Sequence, residues 1–204
     1  FRPVAFKVGG RHAVVLAKGL DGCERSGQMT DAELELFLDD LESDRVERKE
    51  SEKAGDKICQ AICAFANDMP DHRLPGVIFV GVKDQGSFAG LAITDQLLQN
   101  LSAMRSDGNV VPLPAMTVQK RRIKGTDLAV IIVQPSDSPP VRFKGTVWIR
   151  VGPRRAIANP DEERRLSEKR RYKDLPGDIR PICSAPMEGL DEFLFLRGYL
   201  PTAV

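Results

Sequence analysis

The run Gly76-Val77-Ile78-Phe79-Val80-Gly81-Val82 carries no polar side chain and is punctuated by glycines. Successive side chains of a strand point to opposite faces, so a run that is apolar throughout needs cover on both sides. The sequence therefore predicts a central strand, buried above and below. Lys83-Asp84-Gln85-Gly86 follows with turn chemistry, and Phe88–Leu91 is expected to return antiparallel.

Helical spacing lies on either side of this strand. Thr30-Asp31-Ala32-Glu33 is a capping box, and Leu34, Phe37, Leu38 and Leu41 follow on one face of a first helix that ends near Asp40. Val46–Lys49 reads as a short strand. Gly55-Asp56 then opens a second helix with Ile58, Ala61, Ile62 and Phe65 on one face, ending near Asn67-Asp68. Thr94 caps a third helix through Leu97, Leu98, Leu101 and Met104. Met116–Lys120 alternates, Lys124-Gly125-Thr126 turns, and Leu128–Val133 returns as a second buried run. A proline-bearing loop at 136–140, a strand at Val147–Val151 and a charged helix from Pro160 complete the pattern. The elements lack a regular βαβ rhythm or a repeat, which predicts an α+β fold: a mixed, mostly antiparallel sheet with helices packed on it. The expected organisation is an extension at 1–28 that adds a strand, a single domain at 29–174, and at 175–204 a further extension or the start of a following region, with a helix over Leu190–Leu196.

The 204 residues, 42% of them hydrophobic, suffice for a core without disulfide or metal staples. The longest apolar runs, Ala61–Ala66 and Leu128–Val133, fall far short of the roughly 18 residues that a membrane helix needs. A start at Phe1-Arg2-Pro3-Val4 with no cationic lead into an apolar segment predicts a fragment or processed chain without a signal peptide. Cys59 and Cys63 lie one helical turn apart in an apolar pattern and read as buried small residues. Cys23 and Cys183 have no CxxC or histidine beside them, so a reducing, cytoplasmic compartment is expected.

Net charge is only +1, but it is unevenly placed. Residues 119–173 hold 15 Lys and Arg against six acids, leaving the rest of the chain acidic. Such polarity is a footprint of phosphate-backbone binding; the bland reading is solvated strand edges and a salt-bridged helix face. Arg154-Arg155, directly after Gly152-Pro153, places two guanidinium groups on a rigid turn, suited to bidentate phosphate contact.

A second constellation is Glu42-Ser43-Asp44-Arg45-Val46-Glu47-Arg48-Lys49, with Asp84 at the exit of the buried strand. Carboxylates gathered at a strand end can bind Mg²⁺ or Mn²⁺, which can activate water for phosphodiester cleavage. Glu42 and Glu47 are an odd number of residues apart and converge only if the chain turns near Ser43-Asp44. Other chemistries find no support: His12 and His72 lie in no ligand spacing, and GxxxxGK[ST] and GxGxxG are absent. Trp148 alternates within a strand and reads as packing, not as a base-stacking platform.

The acidic block at 42–49, the helix at 58–67, the strand at 76–84 and Val147-Trp148-Ile149-Arg150-Val151-Gly152, in this order and separation, resemble the Schlafen AlbA-type domain over about residues 38–170. Bacterial proteins that look like this are described as DNA-binding domains or transcriptional regulators, so the resemblance implies nucleic acid. Some animal relatives are metal-dependent ribonucleases with three carboxylates, and the motif positions that match are Glu42, Glu47 and Asp84. Those enzymes also pair two lobes around their substrate, which implies a homodimer for a chain holding one lobe. Where the family often has an aromatic residue, this chain has Arg48, expected either to weaken packing under the strand or to add a phosphate contact.

The sequence thus predicts a nucleic-acid-binding domain, with DNA as the expected ligand, of a transcriptional regulator. It would hold phosphates through Arg121, Arg122, Lys124, Arg142, Lys144, Arg154 and Arg155, without a required cofactor and without a membrane partner. The rival reading is a nuclease in which Glu42, Glu47 and Asp84 hold Mg²⁺ or Mn²⁺ and Lys49 steadies the developing charge.

Overall fold

A computed structural model describes residues 29–106 and 109–174. In chain order they form α1 (Asp31–Asp39), β1 (Val46–Lys49), α2 (Gly55–Asn67), β2 (Gly76–Val80), α3 (Asp95–Ala103), β3 (Val110–Val111), β4 (Met116–Ile123), β5 (Thr126–Val133), β6 (Arg142–Phe143), β7 (Thr146–Val151), β8 (Arg154–Ile157) and α4 (Pro160–Asp174), with a 3-10 turn at Glu52–Ala54 leading into α2. The fold is α+β. The strands build two four-stranded sheets, β1-β2-β5-β4 and β3-β6-β7-β8, where the sequence suggested one. Prolines 135, 139 and 140 explain the break: they cannot donate to a ladder, and the loop that carries them is tied instead to the end of α2 by Ser136 N–H donating to Ala66 O at 2.7 Å.

β2 lies inside the first sheet, parallel to β1 and antiparallel to β5. All five of its residues are buried, as an apolar run requires. Ile78 and Val80 join the core formed with α2, α3 and the Ala129, Ile131 and Val133 side of β5. The expected return strand at 88–91 does not form. Gly81 turns at φ +104°, the N–H groups of both Gly81 and Val82 donate to Lys49 O, and a single bridge from Val82 to Phe88 remains. This crowding of two donors on one carbonyl ends the ladder as a bulge does.

α2 packs against β2 and β5 of the first sheet and against β6, β7 and β8 of the second, so it is buried on more than the predicted face. Its last residue, Asn67, is 2% exposed. The Asn67 amide donates to Val141 O (2.9 Å) and Trp148 O (2.8 Å) and accepts from Val141 N–H (2.7 Å), joining the helix end to the second sheet with its polar groups satisfied. Close approach on the other side depends on Gly76, where a Cβ would stand 2.2 Å from the Phe65 ring. Across the second sheet, Val147 and Ile149 pack on Ala158 and on Leu166 of α4.

The β4–β5 and β6–β7 hairpins close with the same dipeptide. Lys124-Gly125 and Lys144-Gly145 take φ of +48° and +77°, and of +48° and +78°. Two consecutive positive φ values match the right-handed twist of paired strands. The first of these turns was legible; the second, between β6 and β7, was not. The expected strand in 1–28 and helix at 190–196 fall outside the described residues, as do His12, Cys23 and Cys183.

Candidate nucleic-acid interface

Alternation along β1 sends Val46 and Arg48 to one face and Glu47 and Lys49 to the other. On the first face Arg48 is 7% exposed, and its Nη2 donates to Phe37 O (3.2 Å), Leu38 O (2.8 Å) and Asp40 O (2.7 Å). Those are carbonyls of the last turn of α1 and the residue after it, which lack helical partners. Arg48 therefore neither loosens the strand nor reaches outward for phosphate; it caps a helix.

On the second face Glu47 gathers three cations. Its Oε2 accepts from Arg150 Nη1 at 2.5 Å, its Oε1 accepts from Lys49 Nζ at 2.5 Å, and Arg155 Nε lies 3.6 Å from Oε1. Burial alone would push the Glu47 carboxyl up; the Lys49 hydrogen bond and the charges of Lys49, Arg155 and Arg150 outweigh it and hold the group below the usual glutamate range. Arg150 has a side chain only 3% exposed, lies over the Phe65 ring, and also donates to Asp44 O (3.0 Å), Val46 O (3.0 Å) and Ser43 O (3.4 Å). It fastens the turn before β1 to β7. That turn is the one the Glu42–Glu47 spacing required, yet it serves an arginine.

Arg155 donates through Nη1 to Lys57 O (2.6 Å) and to Gln60 Oε1 (3.2 Å), both on α2. Arg154 beside it is exposed, and its side chain has no ion-pair or hydrogen-bond partner among the described residues. Both begin β8, whose pairing of Val151 with Arg154 and Arg150 with Arg155 was not foreseen. Glu47, Gln60, Trp148, Pro153, Arg154 and Arg155 line an open cleft of about 320 Å³ between α2 and the β7–β8 hairpin.

The other predicted cations lie elsewhere. Arg121 pairs with Asp31 (3.1 Å) and Lys124 with Asp39, at the meeting of β4 and α1. Arg122 is exposed there, without a partner among the described residues. Arg142 pairs with Glu163 (2.7 Å) and Lys144 with Asp56 (2.8 Å). The seven thus occupy three places, and five of them are ion-paired. Sequence reasoning missed Arg150 and Gln60. The signal for Arg150 was available: a charge inside the otherwise apolar strand Val147–Val151 must be buried against a partner of opposite sign.

The three predicted carboxylates are not brought together. Glu42 is exposed in a turn, Asp84 is exposed after β2 and lines a separate cleft of about 840 Å³ that Lys49 shares, and Glu47 is enclosed by cations. Among the described residues no three His, Cys, Asp or Glu side chains stand close enough to hold a metal ion. As arranged, these residues do not fit a divalent metal, and Lys49 is engaged by Glu47 and by Arg48 O at 2.8 Å.

No helix among the described residues is long and apolar enough to cross a membrane. A family model described as Schlafen, AlbA_2 matches residues 42–159. No curated protein matches the chain significantly. Among solved structures, the DIP2311 protein of Corynebacterium diphtheriae is similar with a TM-score of 0.48 and 19% identity over 67% of this chain, which spans only 28% of that protein. The N-terminal domain of a RecG-related protein of Nitrosomonas europaea is similar with a TM-score of 0.43 and 25% identity, over 61% of this chain and 88% of that one.

Proposed function

The chain belongs to the Schlafen AlbA_2 family, and from the cationic cluster built on Glu47 we infer that it binds nucleic acid through the phosphate backbone. The observation that carries this reading is a mismatch of charge. One carboxylate stands against Lys49, Arg150 and Arg155, and the unpaired side chain of Arg154 lines the same cleft as Glu47 and Arg155. A single carboxylate cannot neutralise three cations, so the cleft is electropositive even when every internal bond is made. Arg155 is held by α2 before any ligand arrives, and a preformed guanidinium loses little freedom on meeting a phosphate.

In this reading residues 29–174 form the binding domain of a transcriptional regulator, with DNA as the ligand and a second copy supplying the other wall of the groove. Exposed pairs such as Lys144–Asp56 and Lys124–Asp39 are worth about 0–1 kcal/mol and can open toward a phosphate as the complex forms.

Binding of labelled duplex and single-stranded oligonucleotides, measured across a salt series, tests the reading. Affinity should fall steeply with salt, by a log–log slope of about −0.9 for each phosphate held on duplex. Arg154→Ala should weaken binding to all sequences and flatten the slope by about 1. Affinity that is absent or indifferent to salt rejects the reading.

A further inference from the structure

The cleft beside the arginines is more than a charged surface. Its wall contains Trp148, which is half-buried against the core, together with Pro153 and the amide of Gln60. Gln60 Oε1 already accepts from Arg155, which orients the amide and leaves its NH₂ group without a partner among the described residues. The indole N–H of Trp148 likewise has no partner there. Glu47, the one carboxylate lining the cleft, is already bonded to Lys49 and Arg150 and faces Arg155. The cleft therefore sets an aromatic side chain beside unpaired hydrogen-bond donors, and its one carboxylate is already engaged by cations.

We propose that this cleft receives one unstacked base of a single-stranded nucleic acid, stacked on Trp148, with its keto oxygens toward the Gln60 amide and Arg154. The proposal rests on the phosphate reading above, since Arg154 and Arg155 hold the flanking backbone. A volume of about 320 Å³ is at the small end of ligand pockets and accommodates a single base. A lining rich in unpaired donors suits guanine, uracil and thymine, whose exposed edges carry O6 and N7, or O2 and O4. It gives adenine less to bond, since adenine carries an amino group where guanine and thymine carry a keto oxygen. Base-on-aromatic stacking accepts any π face, so Trp148 supplies affinity while the donors supply the preference.

Trp148 is the only tryptophan in the chain, so its fluorescence reports on this cleft alone. The experiment titrates the protein with oligo(dT) and oligo(dA) heptamers, a duplex of the same length, and thymidine monophosphate, following tryptophan emission and, with labelled strands, anisotropy. Saturable quenching by oligo(dT), with at least several-fold weaker binding of oligo(dA) and no quenching by duplex, is expected. Trp148→Leu should weaken oligo(dT) binding about 10- to 100-fold. Because that substitution also touches the core, Gln60→Leu serves as the second variant and should abolish the preference for oligo(dT) over oligo(dA).

Strands that bind in a salt-dependent way with emission unaltered would overturn the base site and leave the phosphate reading standing. No binding of any strand would remove both. Oligo(dA) quenching as strongly as oligo(dT) overturns the proposal, and so does the monophosphate binding as tightly as the heptamer, which would make this a free-nucleotide site.

Discussion

Replacing Glu47 by glutamine keeps the shape of the side chain and removes the charge on which three cations converge. Arg150 and Glu47 side chains are 3% and 11% exposed, so the loss is felt in a poorly solvated place. Removing one partner of a buried pair costs about 3–5 kcal/mol, because the other charge stays behind uncompensated. We take about 3 kcal/mol, since Gln retains hydrogen-bonding capacity and Arg150 keeps its backbone acceptors at Asp44, Val46 and Ser43. With a urea m-value of about 2 kcal/mol per molar, the midpoint moves down by about 1.5 M. Arg150→Met should cost more, since it also orphans those carbonyls at about 1–3 kcal/mol for each one left buried and unpaired. The double variant Glu47→Gln with Arg150→Met should then be more stable than the sum of the single losses implies, by about 2 kcal/mol. Urea unfolding of the four proteins, followed by circular dichroism, measures the cycle. A Glu47→Gln cost below about 1 kcal/mol, or additivity within about 0.5 kcal/mol, would refute the claim that this carboxylate anchors the cluster.

Three further outcomes follow from particular contacts. Glu47 is held below the ordinary glutamate range in the folded state, so between the folded and unfolded values the unfolded chain binds more protons; the stabilisation is complete above the unfolded value and is lost as pH falls through the folded one. Urea midpoints below about pH 4.5 should therefore decline in the native chain and less steeply in Glu47→Gln. Arg48→Met should cost about 2 kcal/mol by uncapping α1, and hydrogen exchange should show faster opening of residues 36–40 than of α2. Gly76→Ala should destabilise by about 1–3 kcal/mol through its clash with the Phe65 ring, with Phe65→Leu restoring part of the loss; an unchanged urea midpoint would show that the ring moves freely.

Local patterns made the elements legible. The capping Thr94, whose Oγ1 accepts from Leu97 N–H at 3.2 Å, the apolar run at 76–82 and the alternation of 116–123 each encode their conformation within a few residues. β6 escaped because two residues cannot show a period, and the one signal for its hairpin, the repeat of Lys-Gly-Thr 124–126 at 144–146, went unread. β8 escaped because Arg154-Arg155 reads as surface, and only pairing with β7 makes a strand of it. The candidate site was legible in part. Arg154, Arg155, Glu47 and Lys49 were all singled out, but as members of two separate constellations. What joins them, Arg150 and Gln60, acts across 103 and 95 positions of sequence, a distance at which single-chain periodicity carries no information.

The same long-range pairing changes what the charge polarity of this sequence means. A basic C-terminal part and an acidic N-terminal part suggested a large cationic face turned toward phosphate. In the fold the two parts meet: Asp31 with Arg121, Asp39 with Lys124, Glu47 with Arg150 and Arg155, Asp56 with Lys144, and Asp71 with Lys169. Much of the basic excess is answered internally, and most of these pairs are exposed enough to add little stability singly. Polarity along the chain thus sets which segments lie against each other more than it sets the outer field. The argument for nucleic acid therefore rests on the site where the pairing is numerically unequal, three cations to one buried carboxylate, and on Arg154 standing unanswered beside it. A regional excess of Lys and Arg locates no interface until the acids folded against it have been subtracted.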